Sequence, residues 1–240
     1  MRYLITIEYD GTNFYGFQRL KNKRSIQQEV ENALKIIDQN IVLIKGAGRT
    51  DKGVHAYGQR ASFDLHNDIP CEHLKRAMNS LLPRDIYISE CIKVDNDFHA
   101  RFNVIEKTYI YKINVGPYDP LLNNYYYFYG YKIDMRLLKK CAKLFLGIHH
   151  FDNFVSGSRN NAEAIIYNIK IIKRENVIEI KFVGKSFYRY MVRNLVGAML
   201  DVSTGKATLD QVKMMLNEYQ LRKNLNCAPA NGLYLMNIKY

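Results

Sequence analysis

Ile41-Val42-Leu43-Ile44-Lys45-Gly46-Ala47-Gly48-Arg49-Thr50-Asp51-Lys52-Gly53-Val54-His55-Ala56-Tyr57-Gly58-Gln59-Arg60-Ala61-Ser62-Phe63-Asp64-Leu65 holds two strand-like runs with no helix between them. Residues 41–45 read as one strand and residues 57–65 as the next, joined by a glycine-punctuated loop. Upstream, Ser25 with Gln28 three residues on reads as a capping box. It opens a helix whose buried face is Ile26, Val30, Leu34 and Ile37. Before that helix, residues 2–10 alternate as a strand. Downstream, Pro70 opens a helix carrying Leu74, Met78 and Leu81. Residues 86–94 then read as a strand. The order is β-α-β-β-α-β, the split βαβ of ferredoxin-like folds.

The second half repeats that order. Residues 107–115 alternate as a strand, and Asp134 can cap a helix carrying Leu138, Cys141 or Ala142, and Phe145. Residues 165–172 and 177–182 form a hairpin around Arg174-Glu175-Asn176. Residues 187–202 read as a helix with Met191, Leu195 and Met199 on one side. Thr208 and Gln211 start a short extra helix, and residues 233–238 form the last strand. The expectation is an α+β fold of two ferredoxin-like halves, residues 1–105 and 106–240. The halves are expected to pack as one catalytic unit with a central cleft. No internal repeat of sequence and no linker rich in Pro, Gly or Ser separates them.

Within the loop, Asp51 stands among Arg49, Lys52 and His55. Nearby cations favour an ionised carboxylate, which suits a nucleophile or an electrostatic partner. The same cations can hold phosphates of a polyanion. Asp-Lys-Gly is also an ordinary turn sequence. Two nucleotide-loop readings fail: Asp51 stands where a dinucleotide fingerprint needs its third Gly, and Lys52-Gly53 does not supply the Gly-Lys-Ser/Thr of a Walker loop.

The chain has 240 residues, 48% of them hydrophobic, and a formal net charge of +12. That is enough apolar sequence for one large core or two small ones, and the charge favours an anionic partner such as nucleic acid. The four cysteines, Cys71, Cys91, Cys141 and Cys227, lie far apart and lack metal-ligand spacing. Isolated thiols fit a reducing cytoplasm. No signal peptide or membrane-spanning apolar run is evident. The six histidines make no metal motif, and neither a nucleophile elbow nor the RNP1 pattern of RNA-binding sheets occurs. No metal site is expected from these patterns.

Two further groups could carry chemistry. Tyr109 and Tyr111 share a strand face in Arg101-Phe102-Asn103-Val104-Ile105-Glu106-Lys107-Thr108-Tyr109-Ile110-Tyr111. Aromatic faces beside cations such as Arg101 can stack on unpaired bases; core packing is the plainer reading. Arg189 and Arg193 are four apart on the expected helix, and Arg193 sits between apolar neighbours. An Arg so placed needs an anion: a catalytic carboxylate, a phosphate or an ordinary ion pair.

These motifs together resemble the TruA family of tRNA pseudouridine synthases nearly end to end. The resemblance is carried by Tyr9-Asp10-Gly11-Thr12, Gly16-Phe17-Gln18, Ser25-Ile26-Gln27 and above all Gly48-Arg49-Thr50-Asp51-Lys52-Gly53-Val54-His55-Ala56. It continues through Leu82-Pro83-Arg84-Asp85-Ile86, Phe98-His99-Ala100-Arg101 and Lys107-Thr108-Tyr109-Ile110-Tyr111. It ends with Met191-Val192-Arg193-Asn194-Leu195-Val196-Gly197 and Ala228-Pro229-Ala230-Asn231-Gly232-Leu233. The resemblance implies isomerisation of uridine to pseudouridine in the anticodon arm of tRNA, at positions 38–40. It implies Asp51 as the catalytic aspartate, Arg49 as a holder of the flipped nucleotide, and Tyr109 as the base-stacking residue that assists loss of the C5 proton. Arg193 would pair with Asp51. Lys52, His55 and Arg101 are the further candidates for substrate contact. The resemblance implies a homodimer, no metal, no cofactor, no membrane and no other protein partner, in the cytoplasm.

One stretch departs from the family. Its hairpin strand usually begins Arg-Thr-Ile, whereas this chain has Glu163-Ala164-Ile165-Ile166-Tyr167. Arg159, upstream, could compensate. The departure bears on substrate choice: a paralogue acting on another RNA, such as ribosomal RNA, is the alternative. A catalytically silent RNA binder is the rival from another class. It is disfavoured because a carboxylate facing phosphates only repels them.

Overall fold

Strand β1 (Arg2–Tyr9) alternates as its sequence predicts, with Tyr3, Ile5 and Ile7 fully buried. The structure, a computed structural model, describes residues 1–156, 161–218 and 226–240. Arg159 lies outside those residues. The chain divides into a unit of Met1–Ile105 with Tyr234–Tyr240, and a unit of Glu106–Leu233. The fold is α+β, with helices and mostly antiparallel strands in each unit.

In the first unit α1 (Ile26–Asp38), β2 (Lys45–Gly46), β3 (His55–Asp64), α2 (Cys71–Leu81) and β4 (Ile86–Lys93) follow β1. β1 pairs antiparallel with both β3 and β4. Ile26, Val30 and Leu34 of α1 and Leu74 and Met78 of α2 are fully buried, as the 3.6-residue period requires. The strand expected at 41–45 is reduced to two residues. Val42 and Ile44 are buried and Ile41 and Leu43 exposed, so the alternation is real. The backbone partners are not strands, however. Ile44 N–H donates to Glu31 Oε1 at 3.1 Å, and Gln27 Nε2 donates to Ile44 O at 3.4 Å. Helix α1 thus takes the peptide groups that a ladder would use.

The last strand differs from expectation as well. β10 (Leu233–Lys239), read from the sequence as part of the second half, pairs parallel with β3 of the first unit through Tyr234 and His55. β2 covers β3 at Ser62 and Ala61, and β10 covers it at His55 and Ala56. Two short partners therefore share one neighbour, and β3 has little exposed edge.

In the second unit the order is β5 (Glu106–Asn114), β6 (Tyr127–Phe128), α3 (Met135–Leu144), β7 (Gly147–His150), β8 (Glu163–Arg174), β9 (Val177–Gly184), α4 (Met191–Ser203) and α5 (Leu209–Asn217). β9 lies between β5 and β8, antiparallel to both, and β7 pairs with β8. Asp134 caps α3 by accepting the N–H groups of Arg136 and Leu137, and Thr208 with Gln211 closes a full capping box on α5. The helix expected from Phe187 begins only at Met191. Tyr190 holds a left-handed backbone, φ 62°, which an α-helix cannot contain. Arg189 therefore precedes α4 and does not share a helix face with Arg193.

Candidate active site

The Asp51 loop joins β2 to β3, and several backbone groups on either side of the carboxylate are tied down. Ala47 N–H donates to Arg60 O at 2.8 Å, and Gln59 Nε2 donates to Gly48 O at 3.1 Å. Phe17 N–H reaches Thr50 O at 3.2 Å, and Val54 N–H reaches Asp51 O at 3.2 Å. Gly53 supplies the left-handed turn, φ 79°. The buried Tyr9 hydroxyl meets Thr50 Oγ1 at 2.8 Å, and burial raises the Tyr9 phenol well above its ordinary range. Gly11 and Gly16 press directly on the loop. A Cβ on Gly11 would overlap Val54 O, and one on Gly16 would come within 2.6 Å of Thr50 O. Asp51 itself is half-buried.

Tyr9, Gly11, Gly16 and Phe17 thus buttress the loop that carries the carboxylate. Gly11, Gly16 and Phe17 have no reactive side chain and the Tyr9 phenol is buried against Thr50, so reasoning from chemistry alone missed their role. Their only signal in the sequence is membership of Tyr9-Asp10-Gly11-Thr12 and Gly16-Phe17-Gln18, two of the motifs behind the resemblance.

The three basic residues of the loop go to different places. Arg49 is exposed. Lys52 is exposed too, with Nζ 4.4 Å from the Tyr15 ring centre, a ring that Lys23 also covers at 4.6 Å. His55 turns inward: it is 2% exposed, Nδ1 accepts the Gly11 N–H at 3.1 Å, and its ring stacks on Tyr234 at 4.8 Å. That packing makes His55 a strut between the loop's end and residues 9–12. Arg101 lies on the surface after β4, where its guanidinium sits 5.9 Å from the ring of the exposed Phe102.

The remaining candidates belong to the second unit. Tyr109 and Tyr111 alternate with Ile110 on β5, and both rings are buried. The Tyr109 ring meets Phe187 edge-on at 5.2 Å. Tyr111 is fully buried and donates to Pro229 O at 2.7 Å, so of the pair it is the core residue. Arg193, in the first turn of α4, is half-buried. Its Nε donates to Ala228 O at 2.7 Å, and its guanidinium lies 4.8 Å from the Tyr190 ring centre. The left-handed Tyr190 is what brings that ring over the helix start.

All four cysteines are free thiols. Among the described residues no three His, Cys, Asp or Glu side chains gather into a metal-binding group, and no helix is long and apolar enough to cross a membrane. The departing stretch, Glu163–Ile166, opens β8, and Glu163 and Ala164 pair with His150 and His149 of β7.

The glycine-buttressed aspartate loop of the first unit, on an α+β scaffold, marks a candidate carboxylate enzyme. The chain matches the family described as tRNA pseudouridine synthase over residues 5–103 and 141–240. Relatives called tRNA pseudouridine synthase A span its full length. That of Pseudothermotoga lettingae is 38% identical over 100% of this chain and 99% of its own. That of Limosilactobacillus reuteri is 38% identical over 100% and 96%, and that of Thermosipho melanesiensis 35% identical over 100% and 99%. A chain in the crystal structure of a Cbf5-Nop10-Gar1 complex is more distantly similar, 12% identical over 82% of this chain and 54% of that one, with a TM-score of 0.38. The chain belongs to the tRNA pseudouridine synthase family.

Proposed function

We propose that this protein isomerises uridine to pseudouridine in tRNA, in the anticodon stem-loop at positions 38–40, with Asp51 as the catalytic carboxylate. Family membership along the whole chain is the observation that carries the reading. The reaction breaks the N1–C1′ bond, turns the base, and joins C5 to C1′. The C5 proton leaves and N1 ends protonated, so no atoms are gained or lost. Asp51 can attack C1′, take a proton from C2′ to give a glycal, or add to the base. The first parallels carboxylate nucleophiles of sugar transfer. A loop held by so many backbone bonds suits any of the three, because a fixed carboxylate needs no reorganisation as charge develops.

Tyr109 is proposed to stack on the turned-out base and to assist loss of the C5 proton. Arg193 is proposed as the counter-ion of Asp51. Arg49, Lys52 and Arg101 are exposed cations suited to phosphates, and His55 acts through the loop it braces. The uridine must leave its stack, at a cost of a few kcal/mol that is least for loop or stem-end positions. The enzyme is proposed to act as a homodimer in the cytoplasm, the homodimer by its resemblance to the family and the cytoplasm on its four free thiols.

The test is tritium release from tRNA labelled at uridine C5, against the same tRNA altered at 38–40. Release that depends on those uridines is expected, and Asp51→Asn should abolish it while tRNA binding stays within about threefold. Release only from another RNA would move the substrate and point to Glu163–Ile166. Full activity of Asp51→Asn would overturn the catalytic assignment.

A further inference from the structure

Arg193, Gly197 and Asp201 stand four apart on α4 and share one face. Residues 226–228 run along that face and are gripped at both ends. Asp201, 5% exposed, accepts the side-chain amide of Asn226 at 2.7 Å and its backbone N–H at 3.2 Å. At the other end Ala228 N–H donates to Arg193 O at 3.1 Å, and Arg193 Nε donates back to Ala228 O at 2.7 Å. Between them Gly197 lets the two backbones touch, since a Cβ there would overlap Asn226 O.

Asp201 carries its charge at the unfavourable end of its helix. It is a buried carboxylate in the last turn of its helix, where the helix dipole opposes negative charge. Its position serves the segment instead: a carboxylate can accept both donors of Asn226 at once. The segment so fixed carries the carbonyl that holds Arg193 Nε. A guanidinium held at Nε and against the Tyr190 ring has its plane set, and a planar fork is directional. We propose that Asp201 is a positioning residue for the reaction, setting the direction of the Arg193 guanidinium through Asn226 and Ala228. This rests on the reading of Arg193 given above.

Asp201→Asn keeps the side chain's volume and turns one acceptor into a donor facing Asn226. In the full chain it should lower kcat roughly tenfold, with KM for tRNA within about twofold of the unmodified protein. The exchange of Asp201→Asn with Asn226→Asp restores a donor–acceptor pair and should bring kcat back to within about threefold. A tether that only stabilised the fold would lower the melting temperature and leave kcat unchanged below it, and that result overturns the proposal. So does an exchange that recovers nothing. If Asp201→Asn does not fold at the assay temperature, Asn226→Ala removes the same side-chain bond from an exposed position. It must then show the same loss of kcat, and an unchanged kcat overturns the proposal. Arg193→Ala, assayed alongside, separates the two readings. Should it keep full kcat, the role of Arg193 falls and this inference with it. Should it be inactive while Asp201→Asn is unimpaired, the inference alone falls.

Discussion

A single methyl group at Gly16 would test how tightly the Asp51 loop is held. Gly16 has φ 98°, and a Cβ there would sit 2.6 Å from Thr50 O and 3.2 Å from the carbonyl carbon of Asp51. Gly16→Ala therefore combines backbone strain with displacement of the peptide that carries the carboxylate. It should cost about 1–3 kcal/mol in urea unfolding, and lower kcat by roughly a hundredfold if the loop shifts by about 1 Å. Gly205→Ala is the control. Its φ is 76° but nothing lies within 4 Å, so it should cost about 1 kcal/mol of strain and leave kcat alone. Equal kcat losses in the two variants would show that strain, not loop position, is being measured. Asp51 stands out as a candidate in the sequence because its surroundings are local: one acid among basic residues and glycines. Gly16 does not, because its partners are loop atoms that only the fold brings to it. The inward turn of His55 was hidden for the same reason, since the groups beside its Nδ1, the Gly11 amide and the Asp10 carboxylate at 3.2 Å, lie far upstream in the chain.

Among the helices, two sites share one capping pattern and behave differently. Ser25 with Gln28 and Thr208 with Gln211 both spell a capping box, and only Thr208 forms one. The first two N–H groups of α1 already have partners: Ile26 donates to Gly16 O at 3.3 Å and Gln27 to Phe17 O at 2.9 Å. Ser25 Oγ is left buried with no hydrogen-bond partner among the described residues. Thr208→Ala should destabilise by about 1 kcal/mol in urea titration, whereas Ser25→Ala should stay within about 0.5 kcal/mol of the unmodified protein, because it removes a hydroxyl that makes no bond. A loss at Ser25 equal to that at Thr208 would mean that α1 is capped by its serine after all. Helix periods and the Asp134 cap were legible because they are set within a turn or two of chain. The shortening of β2 was not, because Glu31 and Gln27 of α1 capture the Ile44 backbone from a distance in sequence.

At the scale of the whole molecule, local pattern identified the long strands among the described residues but not the pairings decided by remote partners. β10 reads as a strand from its alternation, yet its place beside β3 is a parallel pairing across most of the chain, which no window of sequence contains. Net charge is the opposite case: it is a property of the whole chain and is read directly. A charge of +12 on a protein proposed to bind a polyanion should act on encounter and affinity more than on the bond-breaking step. Each phosphate neutralised releases counterions, so raising NaCl from about 50 to 200 mM should weaken tRNA binding at least about tenfold. The Asp51 site sits on a short-range frame of backbone hydrogen bonds, which salt screens little. At saturating tRNA, kcat should therefore change by less than about twofold over the same range. Binding titrations and tritium release at matched salt separate the two effects. Affinity that stayed flat would show that the charge is not the footprint of the substrate. A kcat that fell in step with affinity would place a screened, exposed ion pair inside the catalytic step itself.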